Sequence, residues 1–350
     1  MKTETIMLNK ERNVTLTAYL LDVNGEFSNI PKRPAVLVLP GGGYSMCSER
    51  EADPVALAYL NAGFHAFVLR YSVGKDATWP NPLQDYEQAM ELMTSMAEEW
   101  NLYADKIAVV GFSAGGHLAA CAATMAEHKP CAAILGYAVT EEKTAQACLP
   151  GAPDVIRQVN GDTCPCFVFA SRTDNVVPVS NSVRFILALS ENGVMFENHI
   201  YAYGPHGFST ADPSTLMPET EICSRALNWT KDSIEWLGDM WGVYAAGTMT
   251  EPKYKRRMNG NHAPYLSIDC TIGFLMEVQE AKAIIAPVLE EIGKHMMEQY
   301  GGGHTDTQGA QGNMFALLSD ITLKDLMASA KIPDSVAEEM NQQLTKIKNR

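Results

Sequence analysis

Between about residue 14 and residue 240 the chain alternates short β-rich apolar runs with longer stretches of helical periodicity, and this alternation limits the available folds more than any other feature. A run that is apolar at consecutive positions must be covered on both faces. Repeated strand–helix–strand order therefore demands a parallel sheet with helices on either side. The runs are 35–39 (AVLVL), 65–69 (HAFVL), 107–110 (IAVV), 132–135 (AAIL), 166–170 (CFVFA) and 196–201 (FENHIY), separated by helical patterns over 53–61, 83–99, 116–128, 180–192 and 219–237. The expectation is an α/β fold with an open, doubly wound, mostly parallel sheet. In such sheets ligands bind at the carboxyl ends of the strands, so the residues just past each run are where chemistry is to be sought.

Directly after IAVV come Gly111, Phe112, Ser113, Ala114, Gly115 and Gly116, then an Ala-rich helical run. GxSxG between strand and helix is a turn so tight that side chains two residues either side of the serine would meet backbone. Ser113 is thereby a candidate nucleophile, presented at the sheet edge beside a helix N-terminus. Upstream, AVLVL ends in Pro40, Gly41, Gly42, Gly43 and Tyr44. Backbone free of side chains can aim N–H groups at the oxyanion that develops in acyl transfer, with the N–H of Ala114 as the second half of such a hole. A phosphate loop would need the Lys and Ser/Thr of a Walker sequence, and none follows.

A serine hydroxyl needs a base, and the base needs a carboxylate to orient its ring. After CFVFA the turn Ser171–Arg172–Thr173–Asp174 supplies an acid; after FENHIY the turn Gly204–Pro205–His206–Gly207 supplies a histidine. The order Ser113, Asp174, His206 is that of the α/β-hydrolases. His65 and His199 lie within strand-like runs, His117 lies one helical turn beyond Ser113, and Asp162 precedes its strand at the wrong end. No His, Cys, Asp or Glu cluster suggests a metal, and no cofactor is called for.

The chain has 350 residues and a net charge of −14. An acidic surface repels phosphate backbones and anionic lipid, so neither nucleic acid nor a membrane is expected as a partner. Eight cysteines are scattered among apolar stretches without zinc or disulfide spacing, and the N-terminal stretch is polar, which together give a cytoplasmic expectation. No internal repeat is read from the sequence. The texture changes after about Trp241, giving expected boundaries of 1–245 for the α/β domain, 246–262 for a linker containing Lys253, Lys255, Arg256 and Arg257, and 263–350 for a helical C-terminal module. Gly301–Gly303 and the polar stretch 304–312 interrupt the module's helical pattern. Its stripe of Ile272, Leu275, Met276, Ile284, Ile285, Val288, Leu289, Ile292 and Met296 is expected to be buried, and homo-oligomerisation is the role expected of the module.

Over roughly residues 15–240 the sequence resembles the α/β-hydrolase superfamily, and most closely the bacterial carbohydrate esterases described as acetylxylan-esterase-like. The resemblance is carried by VLPGGGY (38–44), AGFHAFVLRYSVG (62–74), VVGFSAGGHLAA (109–120), SRTDNVVPVSNSVRF (171–185) and GPHGFS (204–209). It implies Ser113 as nucleophile, His206 as base, Asp174 as its orienter, and backbone N–H groups of Gly42, Gly43 and Ala114 as oxyanion donors. It also implies deacylation of a small acylated carbohydrate, typically an acetyl ester on a plant-polysaccharide fragment. Hydroxycinnamoyl esters, peptides and a non-catalytic scaffold are the alternatives. Pro40 stands where many relatives have histidine, and residues 138–165 form a short stretch where many carry a cap, which suits a bulky sugar alcohol better than a lipid. The tail resembles, loosely, helical modules appended to bacterial carbohydrate-active enzymes.

Overall fold

The computed structural model describes residues 1–27, 29–245, 247–252, 265–300 and 318–348, the side chains of 294–300 excepted. The chain forms two compact units, Met1–Lys253 and Tyr254–Arg350. Most of the expected linker, including its basic residues, and the glycine-rich stretch 301–312 lie outside the described residues.

In the first unit the elements run β1 (Lys2–Asn9), β2 (Val14–Leu20), β3 (Arg33–Leu39), α1 (Asp53–Asn61), β4 (His65–Arg70), α2 (Asn81–Ser95), β5 (Leu102–Phe112), α3 (Ser113–Met125), β6 (Ala132–Gly136), α4 (Glu142–Cys148), β7 (Cys166–Ser171), α5 (Ser180–Glu191), β8 (Phe196–Tyr201) and α6 (Trp229–Trp241). They build one eight-stranded sheet in the order β1-β2-β4-β3-β5-β6-β7-β8. β1–β2 and β2–β4 pair antiparallel; every other pair is parallel. This is the α/β-hydrolase fold. Alternate residues of β3 feed opposite layers, Leu37 and Leu39 one core and Val36 and Val38 the other, as a strand covered on both faces must.

Register places the site. Leu39 pairs with Gly111, Phe112 with Gly136, Gly136 with Phe169, and Ser171 with Tyr201, so the loops after β3, β5, β6, β7 and β8 leave the same end of the sheet side by side. α3 is buried at every position from Ser113 to Thr124. A helix enclosed all round must be small-sided where it presses on the sheet, which its Gly and Ala content provides.

One expected element is corrected. The helix expected over 219–237 begins only at Trp229, after a 3-10 turn at Ser224–Asn228. Ile222, Cys223, Ala226 and Trp229 all face the core at helix-like spacing while the backbone before Trp229 is not α-helical, so periodicity alone cannot tell the two apart. The edge hairpin β1–β2 and the short α4 were not among the elements read from the sequence.

The second unit has its own core of Leu266, Ile272, Leu275, Ile285, Leu323 and Leu326 among others, and the expected apolar stripe packs into it as far as its side chains are described. It also contains a repeat, contrary to the sequence reading. Asp269, Thr271, Leu275 and Met276 recur fifty-one positions later as Asp320, Thr322, Leu326 and Met327. Thr271 and Thr322 pair in an antiparallel bridge and each caps a helix, accepting from Phe274 N and Asp325 N. The bonds around the bridge match in pairs. Ile272 N donates to Ile321 O as Leu323 N does to Cys270 O, and Gly273 N donates to Ser319 O as Lys324 N does to Ile268 O. Two similar short segments thus face each other across a local two-fold. So few identities over one short segment leave a signal too weak to see before the pairing is known.

Candidate active site

The turn at Ser113 is fixed by what surrounds its glycines. A Cβ on Gly111 would lie 2.3 Å from the Gly115 carbonyl oxygen, and one on Gly115 would lie 2.2 and 2.3 Å from the carbonyl oxygens of Leu39 and Pro40. Neither position accepts a side chain. The close fit brings the start of α3 against the end of β3 and forces Ser113 to φ +52°, a conformation a non-glycine residue adopts only where its surroundings impose it.

Asp174 sits past β7, its Oδ1 accepting from the N–H groups of Val176 and Val177, both at 2.9 Å. Its Oδ2 lies 2.7 Å from His206 Nδ1, and His206 Nε2 lies 2.9 Å from Ser113 Oγ. A carboxylate accepts only, so Nδ1 carries the ring hydrogen and Nε2 is the acceptor for the serine hydroxyl. The Asp174 side chain is 1% exposed and that of His206 is 16% exposed, so the acid is shielded while the base remains within reach of solvent. Three hydroxyl-mediated bonds tie the acid turn to the base turn: Ser171 Oγ donates to Gly204 O at 2.9 Å, Thr173 Oγ1 to the same oxygen at 3.1 Å, and Gly204 N to Thr173 Oγ1 at 3.0 Å. The structure thus brings Ser113, Asp174 and His206 into one hydrogen-bonded line.

The glycine loop turns back through positive φ at Gly42, Gly43 and Tyr44. Tyr71 Oη donates to Pro40 O at 2.6 Å, and Ser45 and Met46 N–H groups donate to Gly42 O. Ala114 lies in the first turn of α3, where N–H groups have no partner within the helix.

Several residues of the site were not anticipated. Glu51 is 3% exposed and accepts from Tyr137 Oη at 2.6 Å and from Gly41 N at 2.9 Å. Burial raises its pKa above the usual carboxylate range, against the pull of those two bonds and of His206. Nothing in the run Ser48–Glu49–Arg50–Glu51 marks it apart from the exposed Glu49. Tyr137 could have been found, since it stands just past a strand end as Asp174 does. Its ring meets the edge of His206 at 5.0 Å between centroids.

His117, read as packing near the serine, is fully buried, with Tyr44 Oη 2.8 Å from Nδ1 and Pro153 O 2.9 Å from Nε2. A carbonyl accepts, so Nε2 carries the hydrogen and Nδ1 accepts from Tyr44. Burial lowers its pKa to about 4 and keeps the ring neutral. Trp79 packs edge-on against it, 5.9 Å between centroids. Among the described residues, no group of three or more His, Cys, Asp or Glu is arranged to hold a metal ion, and no helix is long and apolar enough to cross a membrane.

A mainly parallel eight-stranded sheet with a serine on the strand-to-helix turn, and an acid and a histidine on later strand ends, defines an α/β hydrolase. The chain belongs to that family, and residues 21–152 match the BD-FAE family model. It is 40% identical, with a TM-score of 0.63, to an α/β hydrolase enzyme from a Medee basin deep-sea metagenome library, the match covering 68% of this chain and 97% of that one. An acetyl ester-xyloside bifunctional hydrolase from Caldicellulosiruptor lactoaceticus is 30% identical with a TM-score of 0.57, over 67% of this chain and 94% of its own. An acetylxylan esterase from Xylanibacter ruminicola is 31% identical over 51% of this chain and 42% of that protein. The chain spans less than half the length of the first curated relatives it matches. It is therefore homologous to acetyl and carbohydrate esterases.

Proposed function

We propose that the protein is a serine carboxylesterase that removes acetyl and other short acyl groups from plant-derived oligosaccharides through an acyl-enzyme. One observation carries the reading: the hydrogen-bond line from Asp174 through His206 to Ser113 Oγ, ending on a serine held at positive φ. In the first half-reaction Ser113 Oγ attacks the ester carbonyl as its proton passes to His206 Nε2, and Asp174 stabilises the imidazolium. The oxyanion is received by backbone N–H groups of Gly42, Gly43 and Ala114. Collapse breaks the bond to the sugar oxygen, which leaves with the proton from His206. Water, deprotonated by the same nitrogen, then attacks the acyl-enzyme, releasing the carboxylic acid and restoring Ser113.

The acetylxylan esterase and the acetyl ester-xyloside hydrolase among the relatives support a sugar-linked acetyl substrate. The segment between β6 and β7 supports short acyl chains: its regular structure is only the seven residues of α4 and a three-residue 3-10 turn, little helical material for an apolar lid. The test is acetate release from acetylated plant oligosaccharides, run beside p-nitrophenyl esters from acetyl to octanoyl, a feruloyl ester and a peptide. The expected result is acetate release that requires Ser113, with kcat/KM falling as the acyl chain lengthens. Each buried CH2 is worth about 0.8 kcal/mol, so a true acyl tunnel would give a steady climb instead. Absence of all ester hydrolysis, with no labelling of Ser113 by a fluorophosphonate, would leave the non-catalytic scaffold.

A further inference from the structure

We propose that Glu51 is a positioning residue for this reaction: it clamps the glycine loop to the histidine loop and sets a second carboxylate beside the base. The inference rests on the esterase reading in that it takes Ser113, His206 and the glycine loop as the working parts.

The clamp is seen in Glu51's partners. Oε2 accepts from Gly41 N at 2.9 Å, fixing the first glycine of the loop from which oxyanion donors are drawn. A Cβ on Gly41 would fall 2.5 Å from that oxygen and 3.0 Å from Ser113 Cβ, so carboxylate, loop and nucleophile are packed against one another. Oε1 accepts from Tyr137 Oη at 2.6 Å, and Tyr137 Oη in turn accepts from Ser209 N at 3.0 Å, three residues beyond His206. Ser209 Oγ donates to the carbonyl of Arg50, the neighbour of Glu51. One short segment, the 3-10 turn Glu49–Glu51, therefore holds both loops. Register alone would not do this, because the two loops leave strands at separated places in the sheet order.

The charge follows from the same bonds. Both Glu51 oxygens accept, the pattern of an ionised carboxylate. The titratable and charged groups around it are Arg50 on its own turn, Tyr71 beyond β4, Tyr137 beyond β6 and His206 beyond β8. His206 itself faces Asp174 through Nδ1 and Ser113 through Nε2, with Tyr137 against its edge. When His206 takes the serine proton, the new positive charge forms near two carboxylates in a water-poor setting, where charge–charge interactions are strong.

The experiment compares wild type, Glu51→Gln and Tyr137→Phe by kcat and KM on p-nitrophenyl acetate from pH 5 to 8, and by the rate at which a fluorophosphonate labels Ser113. In labelling, Oγ displaces fluoride at phosphorus and its proton passes to His206, so this readout does not depend on which ester is the substrate. Gln keeps the shape and loses the charge. The expected result for Glu51→Gln is a kcat at least tenfold lower with KM within twofold, slower labelling, and an acidic limb of kcat/KM moved to lower pH. Tyr137→Phe loses the clamp on one side but keeps the carboxylate, so its kcat should fall without that movement of the limb. Wild-type kcat, labelling rate and pH profile in folded Glu51→Gln overturn the proposal, as does a change confined to KM. If Glu51→Gln does not fold, wild-type rates in Tyr137→Phe overturn it. A wild type that is labelled but releases no acetate overturns the choice of substrate and leaves Glu51's role standing.

Discussion

At the level of single residues, the chemistry hangs on three side chains whose positions past strand ends could be read in advance. Ser113→Ala should lower ester hydrolysis by about 10⁴-fold or more, and His206→Ala and the double variant by little further, because members of one relay act as a unit. The melting temperature should hardly change, since one hydroxyl at a turn is removed. Steady-state kinetics beside thermal melts check this, and near-normal turnover by Ser113→Ala refutes the mechanism. Burial is what the sequence does not display, and it decides His117. Its folded pKa of about 4 lies below the ordinary 6.5, so it contributes stability that is present above about pH 6.5 and is lost as pH falls towards 4. The gap corresponds to about 3 kcal/mol. His65, likewise lowered to about 4 by burial and then by Arg33, acts in the same window. His117→Gln should therefore lose less stability than wild type between pH 7.5 and 4.5 in urea titrations, and parallel curves for the two proteins would refute the assignment. Because Tyr44 belongs to the glycine loop, acid should also loosen the oxyanion donors.

At the level of elements, the strands were legible because a parallel strand covered on both faces must be apolar without interruption, as AVLVL and IAVV are. The edge hairpin was not, because β1 has one solvated face and its burial alternates weakly. The site's loops were legible only where a glycine or a lone acid or histidine marked them. Tyr137 was marked by its place just past β6, but Glu51, which joins those loops, looks like any surface glutamate until its hydrogen bonds to Gly41 and Tyr137 are seen. The turn after β5 gives the sharpest test of element geometry. Gly115→Ala places a methyl carbon about where the carbonyl oxygens of Leu39 and Pro40 already are, 2.2 and 2.3 Å away, and those are backbone atoms that cannot swing aside. The strand ends must separate, which moves the glycine loop away from Ser113. We expect a lower melting temperature together with a kcat loss of at least 10²-fold, larger than the stability change alone explains, since a displacement of about 1 Å at a reacting centre has that effect. Gly43→Ala provides the contrast: its Cβ meets no atom within 4 Å, and only the strain of φ +63° opposes it. Equal kinetic losses in the two variants would argue against the close packing of β3 on α3 as the cause.

At the level of the whole molecule, the two units differ in how much of them could be read beforehand. The first has two hydrophobic layers fed by a sheet whose pattern repeats along two hundred residues, and all the residues of the proposed chemistry lie within it. The second draws its core from its own residues and carries two short, similar segments meeting at Thr271 and Thr322. The four identities that mark those segments were too few to stand out before the hydrogen bonds paired them. Separate cores predict separate consequences. Leu326 is 2% exposed and lies in the second core, so Leu326→Ala in the full chain should destabilise that unit by about 2–5 kcal/mol, the range for buried leucine truncations that leave a cavity. Calorimetry of wild type should then show two unfolding transitions, of which the variant lowers one and leaves the other in place, while kcat/KM for p-nitrophenyl acetate stays within twofold. Leu118→Ala, removing a fully buried side chain from α3, should lower the other transition and activity with it. A single transition that moves as a whole in both variants, with activity falling in each, would mean that the second unit is energetically part of the hydrolase and not a module appended to it.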